Sequence, residues 1–350
     1  MKKRPIPTLV PGMVTTVIPV FNRPEMLVSA VGSVLAQDYR PIEIIVADDG
    51  STDQTPTVAE QLIEKNPDII HYVRIENSGP GPAREAGRVI AKGEFIQYLD
   101  SDDRLLPNKF ADQLAALNQH PDCDIAYGIT RLVDEQGTVI SEPFKWTDRK
   151  IDALFPGLLV DRWWCTHTPL YRRSLTDQIG PWCDMRWSQD WEYDARAGAL
   201  GAKLVHCPTL VSEHVHHAGV RQTSGADWGR DPVRLRNRFD LLTTLWKNAT
   251  KAGLPGEAQE RQHFARWCFR IARQCGAVGL KSESAELLRV AKKASGQGVG
   301  SRGLAAYSAV GKMLGSRVTG RLATWLENYR VRPGKSTMNQ SFEGQVGEQE

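Results

Sequence analysis

The chain has 350 residues, 41% of them hydrophobic, enough for one large core or two smaller ones. Its formal net charge of +3 balances 44 basic against 41 acidic groups, so no global field favours nucleic acid as a partner. Six scattered cysteines form no CxxC pair, which argues against a cysteine zinc site and predicts reduced thiols. Pro5, Pro7 and Pro11 interrupt the N-terminus before a signal-peptide core can form, and no apolar run reaches the 18 residues of a membrane span. The expectation is a cytoplasmic protein.

After an N-terminal extension over residues 1–12, short apolar runs alternate with helical patterns. Strands are predicted at 14–18 (VTTVI), 42–47 (IEIIVA), 70–75 (IHYVRI), 95–99 (FIQYL) and 124–129 (DIAYGI). Between the first two, Leu27, Ala30, Val31, Val34 and Leu35 recur at helical spacing behind Pro24, a first-turn residue. Strands joined by crossover helices predict an α/β fold with a Rossmann-like, mostly parallel sheet flanked by helices. Residues 131–140 read as a strand pair turning near Gln136 and Gly137, and the stretch to about 165, without clean periodicity, as a mobile flap. QDWEYDARAGALG, from Gln189, reads as a helix, and AKLVH as a further strand. Helical stripes (Leu235, Phe239, Leu242, Trp246; then Phe264, Trp267, Cys268, Ile271, Cys275) define a C-terminal helical extension over 230–333, and 334–350 reads as a disordered tail.

In an open parallel sheet, ligands gather beyond the carboxyl ends of the strands. There the second strand runs into Asp48-Asp49-Gly50-Ser51-Thr52-Asp53 and the fourth into Asp100-Ser101-Asp102-Asp103. Carboxylates brought together repel one another unless a cation or hydrogen-bond donors compensate, so the two clusters predict a ligand. The hard oxygens of the second favour Mg or Mn, with coordination positions left for phosphate oxygens. The third strand leads into Asn77-Ser78-Gly79-Pro80-Gly81-Pro82-Ala83-Arg84, where small residues admit a ligand close to the backbone and Arg84 faces either donor phosphate or the acidic cluster. The loop after the first strand, PVFNRP, lacks the GxGxxG turn of a nicotinamide dehydrogenase.

Five segments in order, VTTVIPVFNRP, IEIIVADDGSTD, ENSGPGPAREAG, GEFIQYLDSDD and SQDWEYDARAG, resemble family 2 glycosyltransferases of the GT-A fold across roughly residues 13–220, within a domain drawn at 13–225. The resemblance implies an inverting transferase that takes a nucleotide diphosphate sugar, UDP-linked by expectation, in surface polysaccharide or glycan assembly. It puts Pro19, Phe21 and Asn22 at the nucleotide, Asp48 or Asp49 at the base or ribose, Asp100 at the ribose or a metal-bound water, and Asp102 on the metal. Asp190 falls where the family has its catalytic base, although Gln189 replaces the usual preceding Glu. His217-Ala218-Gly219 resembles a His-x-Gly element, so His217 is a phosphate or metal contact, with Arg221 a further phosphate contact.

Alternation over Glu213-His214-Val215-His216-His217 sends His214 and His216 to one face and His217 to the other, which disfavours zinc. Trp164, Trp187 and Trp191 are expected to line an acceptor pocket, since aromatic faces pack on sugar rings, although tryptophans are commonly buried for packing alone. The stretch from Arg302 to Lys335 carries seven basic residues against Glu327, with apolar residues interspersed. It suits either a packed helix with a solvated basic face or peripheral contact with an anionic membrane, where a glycan or lipid-linked acceptor would be found. The rival readings are a sugar-phosphate nucleotidyltransferase and a catalytically silent nucleotide-sugar-binding protein.

Overall fold

The structure, a computed structural model, describes residues 8–217 and 229–296, with Tyr307, Gly311, Gly315 and 317–322. The chain divides into two compact units, Met1–Thr223 with Asn248–Leu254, and Ser224–Lys247 with Pro255–Glu350.

The first unit begins β1 (Val10–Val20), α1 (Pro24–Leu35), β2 (Ile42–Asp48), α2 (Thr55–Lys65), β3 (Ile70–Arg74), α3 (Pro80–Ile90) and β4 (Gly93–Tyr98). These four strands are parallel, in the spatial order β3-β2-β1-β4. Each residue of β2, and of β1 from Val14 onward, is buried, as the continuous apolar runs required of strands covered on both faces. Leu27, Ala30, Val31 and Val34 of α1 fill one side of that layer, as their spacing predicts. Because β1 pairs with β2 on one edge and β4 on the other, the chain reverses direction across the sheet at β1, and a crevice opens beyond its carboxyl end.

The chain continues through β5 (Arg104–Leu105), α4 (Lys109–Gln119), β6 (Ile125–Asp134), β7 (Val139–Ser141), β8 (Pro169–Arg172), α5 (Arg173–Ile179), α6 (Gln189–Ala199) and β9 (Leu204–His216). Beyond β4 the sheet is mixed: β8 is antiparallel to β4 and β6, whereas β9 runs parallel to β6. The strand pair read at 131–140 is the β6–β7 hairpin. The strand read as AKLVH is longer than its local pattern indicated, because β9 stays paired with β6 as far as Asp134↔His216.

The expected flap between Ser141 and Cys165 is instead a packed segment. Leu154, Leu158, Leu159, Trp163 and Trp164 are all 1% exposed or less, so its lack of periodicity reflects irregular backbone over a full core. Close packing also fixes Gly81 in the first turn of α3: a Cβ there would lie 2.0 Å from the Cys183 carbonyl oxygen. Gly81→Ala should therefore destabilise the protein by about 1–3 kcal/mol, read as a lower urea midpoint. An unchanged midpoint would mean that this approach can relax.

The second unit holds α7 (Pro232–Lys251) as far as Lys247, together with α8 (Glu260–Val278) and α9 (Lys281–Ser295). Leu235 and Leu242 of α7, and Phe264, Cys268, Ile271 and Cys275 of α8, are buried, as their helical spacing predicts. Trp246 stacks on Phe264 at 5.9 Å, and Arg261 donates to the carbonyls of Lys293 and Ala294, tying α8 to α9. No helix among the described residues is long and apolar enough to cross a membrane. Most of the basic stretch Arg302–Lys335, and all of 334–350, lie outside the described residues.

Candidate active site

The loops that leave β1, β2, β3 and β4 converge on a cavity of about 580 Å³. Asn22 shapes the first loop in a left-handed conformation (φ 52°), receiving the Thr52 N–H on its side-chain oxygen at 2.8 Å and donating its own N–H to Ser51 Oγ at 3.0 Å. Pro19, Phe21 and Asn22 border the cavity, with Phe21 38% exposed over it.

The two aspartates after β2 part company. Asp48 is fully buried and away from the cavity, accepting hydrogen bonds from the Ser51 N–H (2.8 Å) and the Tyr72 hydroxyl (2.5 Å). That commits it to the turn and leaves Asp49, of the two, on the cavity. Asp49 lies on the cavity wall and accepts the N–H groups of Ser78 (2.7 Å) and Gly79 (2.9 Å). Burial raises its pKa, and those two N–H groups oppose the rise.

Arg84 of α3, 3% exposed, pairs with Asp100, while its Nε and Nη1 are buried without a hydrogen-bond partner at the cavity wall. Of its two expected partners the acidic cluster is thus engaged, and two donors stay available for an anion. Asp102 projects between Arg23 Nη1 (2.5 Å) and His217 Nε2 (3.0 Å). Next to it, the buried Asp103 accepts the Val215 N–H at 3.0 Å and meets His167 Nδ1 at 2.8 Å and His214 Nδ1 at 2.9 Å. Burial by itself would raise the Asp103 pKa, but the two imidazoles override it and hold the carboxyl well below the usual range. This cluster, with ligand atoms within 4.8 Å of one another, fastens the end of β9 to the Asp100–Asp103 turn and so carries His217 to Asp102. His167 had no signal in the sequence that could have marked it.

Asp190, in the first turn of α6, lines a second cavity of about 280 Å³. Arg84, Asp100 and Gln189 border both cavities, so the DSDD turn and Asp190 share one wall. Asp190 Oδ2 meets Arg162 Nη1 at 2.9 Å and Thr166 Oγ1 at 3.2 Å. Asp194, one helical turn on, takes Arg162 Nε at 2.7 Å, so both carboxylates grip one guanidinium. Partial burial would raise the Asp190 pKa; Arg162 first, then Arg84, reverse this and hold the carboxyl below the usual carboxylate range. Asp190 is thus ionised at neutral pH and able to accept a proton.

Trp187 and Trp191 line the second cavity. Trp164 does not: it is fully buried and its indole N–H donates to Asp194 at 2.8 Å, so its role is in the core, correcting the expectation for that residue. Arg221 lies outside the described residues. Among the described residues, the non-glycine positions with positive φ are Asn22, Lys145 and Ser188, and all three border these cavities. Such conformations cost about 1–3 kcal/mol each and collect at functional sites.

This fold and site define a class, the GT-A glycosyltransferases. A sequence-family model for glycosyl transferase family 2 matches residues 15–180. An uncharacterized glycosyltransferase of Rickettsia typhi is 36% identical over 245 residues, 68% of this chain and 72% of the relative. A GalNAc(5)-diNAcBac-PP-undecaprenol beta-1,3-glucosyltransferase of Campylobacter jejuni is 36% identical over 107 residues, 30% of this chain and 34% of that one. The crystal structure of S. aureus TarS 1–349 in complex with UDP-GlcNAc superposes with a TM-score of 0.64 at 18% identity, covering 91% of each chain, a likeness of fold. The chain belongs to glycosyltransferase family 2. That membership sets aside the nucleotidyltransferase reading.

Proposed function

We propose that this enzyme transfers a sugar, with inversion, from a nucleoside diphosphate sugar, UDP-linked in our reading, to an acceptor hydroxyl. We assign the reaction to residues 13–225, with 230–333 a separate helical region. The observation that carries the reading is the wall of Arg84, Asp100 and Gln189 common to the two cavities. A donor lying along Pro19, Phe21, Asn22 and Asp49, its diphosphate toward Arg84 and Asp102, turns its anomeric carbon to that wall. The acceptor oxygen bonds to this carbon while its proton passes to Asp190. The bond from carbon to diphosphate oxygen breaks, its electron pair leaving with the nucleoside diphosphate. A single displacement inverts the anomeric centre and needs no covalent intermediate.

Asp102 and His217 fit a divalent cation, Mn or Mg. A partly exposed carboxylate lies 3.0 Å from an imidazole nitrogen, and the other ring nitrogen of that histidine is buried without a hydrogen-bond partner. Bound there, a cation would supply positive charge for the leaving diphosphate. The Campylobacter relative is named for an undecaprenol-linked glycan, which supports a glycan or lipid-linked acceptor here and a place in surface polysaccharide or glycan biosynthesis. The basic stretch Arg302–Lys335 supports a cytoplasmic enzyme peripheral to the inner face of the cell membrane.

The reading predicts that, with Mn present, UDP-glucose or UDP-N-acetylglucosamine raises the melting temperature and releases UDP, whereas GDP-mannose does neither. A panel with neither stabilisation nor release would contradict it.

The pH profile gives a narrower expectation. Because Arg162 depresses the Asp190 pKa, the base stays ionised as pH falls and its loss appears only below the usual carboxylate range. Arg162→Lys, which cannot fork between Asp190 and Asp194, should shift the acid limb of kcat upward. A limb that stays in place would remove Arg162 from the control of Asp190.

A further inference from the structure

From the second cavity we infer that the acceptor is an anionic sugar, bearing a phosphate or carboxylate group recognised by Lys145 and Arg186. The inference rests on the reading that this cavity, beside Asp190, receives the acceptor, and goes further by giving the acceptor a charge. Four cations border the cavity: Arg84, Lys145, Arg162 and Arg186. Arg84 is neutralised by Asp100, and Arg162 by Asp190 and Asp194. Among the described residues neither Lys145 nor Arg186 has a carboxylate partner. Lys145 Nζ donates to the Arg162 carbonyl at 2.5 Å, and the exposed Arg186 guanidinium stacks 5.2 Å from the Trp187 ring. Asp161 also lines the cavity but pairs with neither, so a neutral acceptor would leave both cations without a bound anion.

The backbone adds an independent sign. Lys145 is held at φ 60° and Ser188 at φ 60°, both on this cavity, where a side chain other than glycine is strained. Strain of this kind persists where the surroundings over-determine it, and both residues stand on this cavity, Ser188 at the amino end of α6. That 11-residue helix contributes the partial positive charge of its first turn on the same side. Trp187 and Trp191 border the same space, offering flat apolar faces to a sugar ring while the cations take its charged substituent.

Glucose, glucose 6-phosphate and glucuronic acid serve as probes, with binding followed by ligand-observed NMR in the presence of UDP and Mn. The two charged sugars should bind at least ~10-fold tighter than glucose, the scale of one charge-assisted hydrogen bond, and the preference should shrink as salt is raised. Arg186→Gln, at an exposed position where folding is not at risk, should remove most of that preference, and Lys145→Gln the rest. A stronger response to glucose 6-phosphate than to glucuronic acid assigns the substituent as phosphate, and the reverse as carboxylate. Equal binding of all three sugars, or a preference that survives both substitutions, would overturn the inference. UDP affinity, measured in the same samples, keeps the two readings apart. Without UDP binding the transferase reading fails; UDP binding with no preference for charge sinks only the anionic acceptor.

Discussion

Asp190→Asn should lower turnover at least ~100-fold, the usual scale of a lost general base, and leave donor affinity within a factor of about two. The substitution keeps the shape of the side chain and its contact with Thr166 but removes the atom that takes the proton. Donor affinity is spared because Asp190 borders the smaller cavity and not the one at the β1 switch point. Arg162 then retains Asp194 as a partner, so the buried guanidinium is not stranded and the fold should hold. Steady-state rates with a competent donor and acceptor, beside calorimetric UDP binding, check both halves. Turnover within tenfold of the parent would take the base assignment away from Asp190, and would revive the silent-binder reading if the parent were itself inactive.

Asp102→Ala should weaken Mn-dependent UDP binding at least ~100-fold, or about 3 kcal/mol, while metal-free binding changes little. Asp102 is where three features meet: the turn after β4, Arg23 from the loop after β1, and His217 from the end of β9. Without metal its negative charge is answered by Arg23, so the cation competes with a guanidinium for one carboxylate. Arg23→Ala should therefore tighten Mn binding, a result opposite in sign to that for Asp102→Ala. Two losses of similar size would instead make Arg23 a donor contact.

The parallel half of the sheet was legible because β1, β2 and β4 are largely buried and read as mainly apolar runs, with β2 and β4 leading into acidic turns. Both acidic clusters are read the same way, from their position after a strand, whereas Asp190 is singled out by the family resemblance and not by its place at the start of a helix. Other features depend on distant pairings. Arg162 acts on residues 28 and 32 positions away, and His167 meets Asp103 across the sheet, so neither carries a local pattern. Trp164 looked like its neighbours until the Asp194 carboxylate claimed its indole N–H. The Asp48-Asp49 pair was ambiguous because adjacent residues point opposite ways, and only the Ser51 N–H and Tyr72 hydroxyl decide which one is consumed by the turn.

A crystal structure with UDP and Mn, phased to show the anomalous signal of the metal, confronts the account most directly. The metal should sit on Asp102 and His217, with the diphosphate against Arg84 and the open side of the site facing Asp190. Density for the metal among Asp103, His167 and His214, or UDP bound away from the β1 switch point, would contradict it.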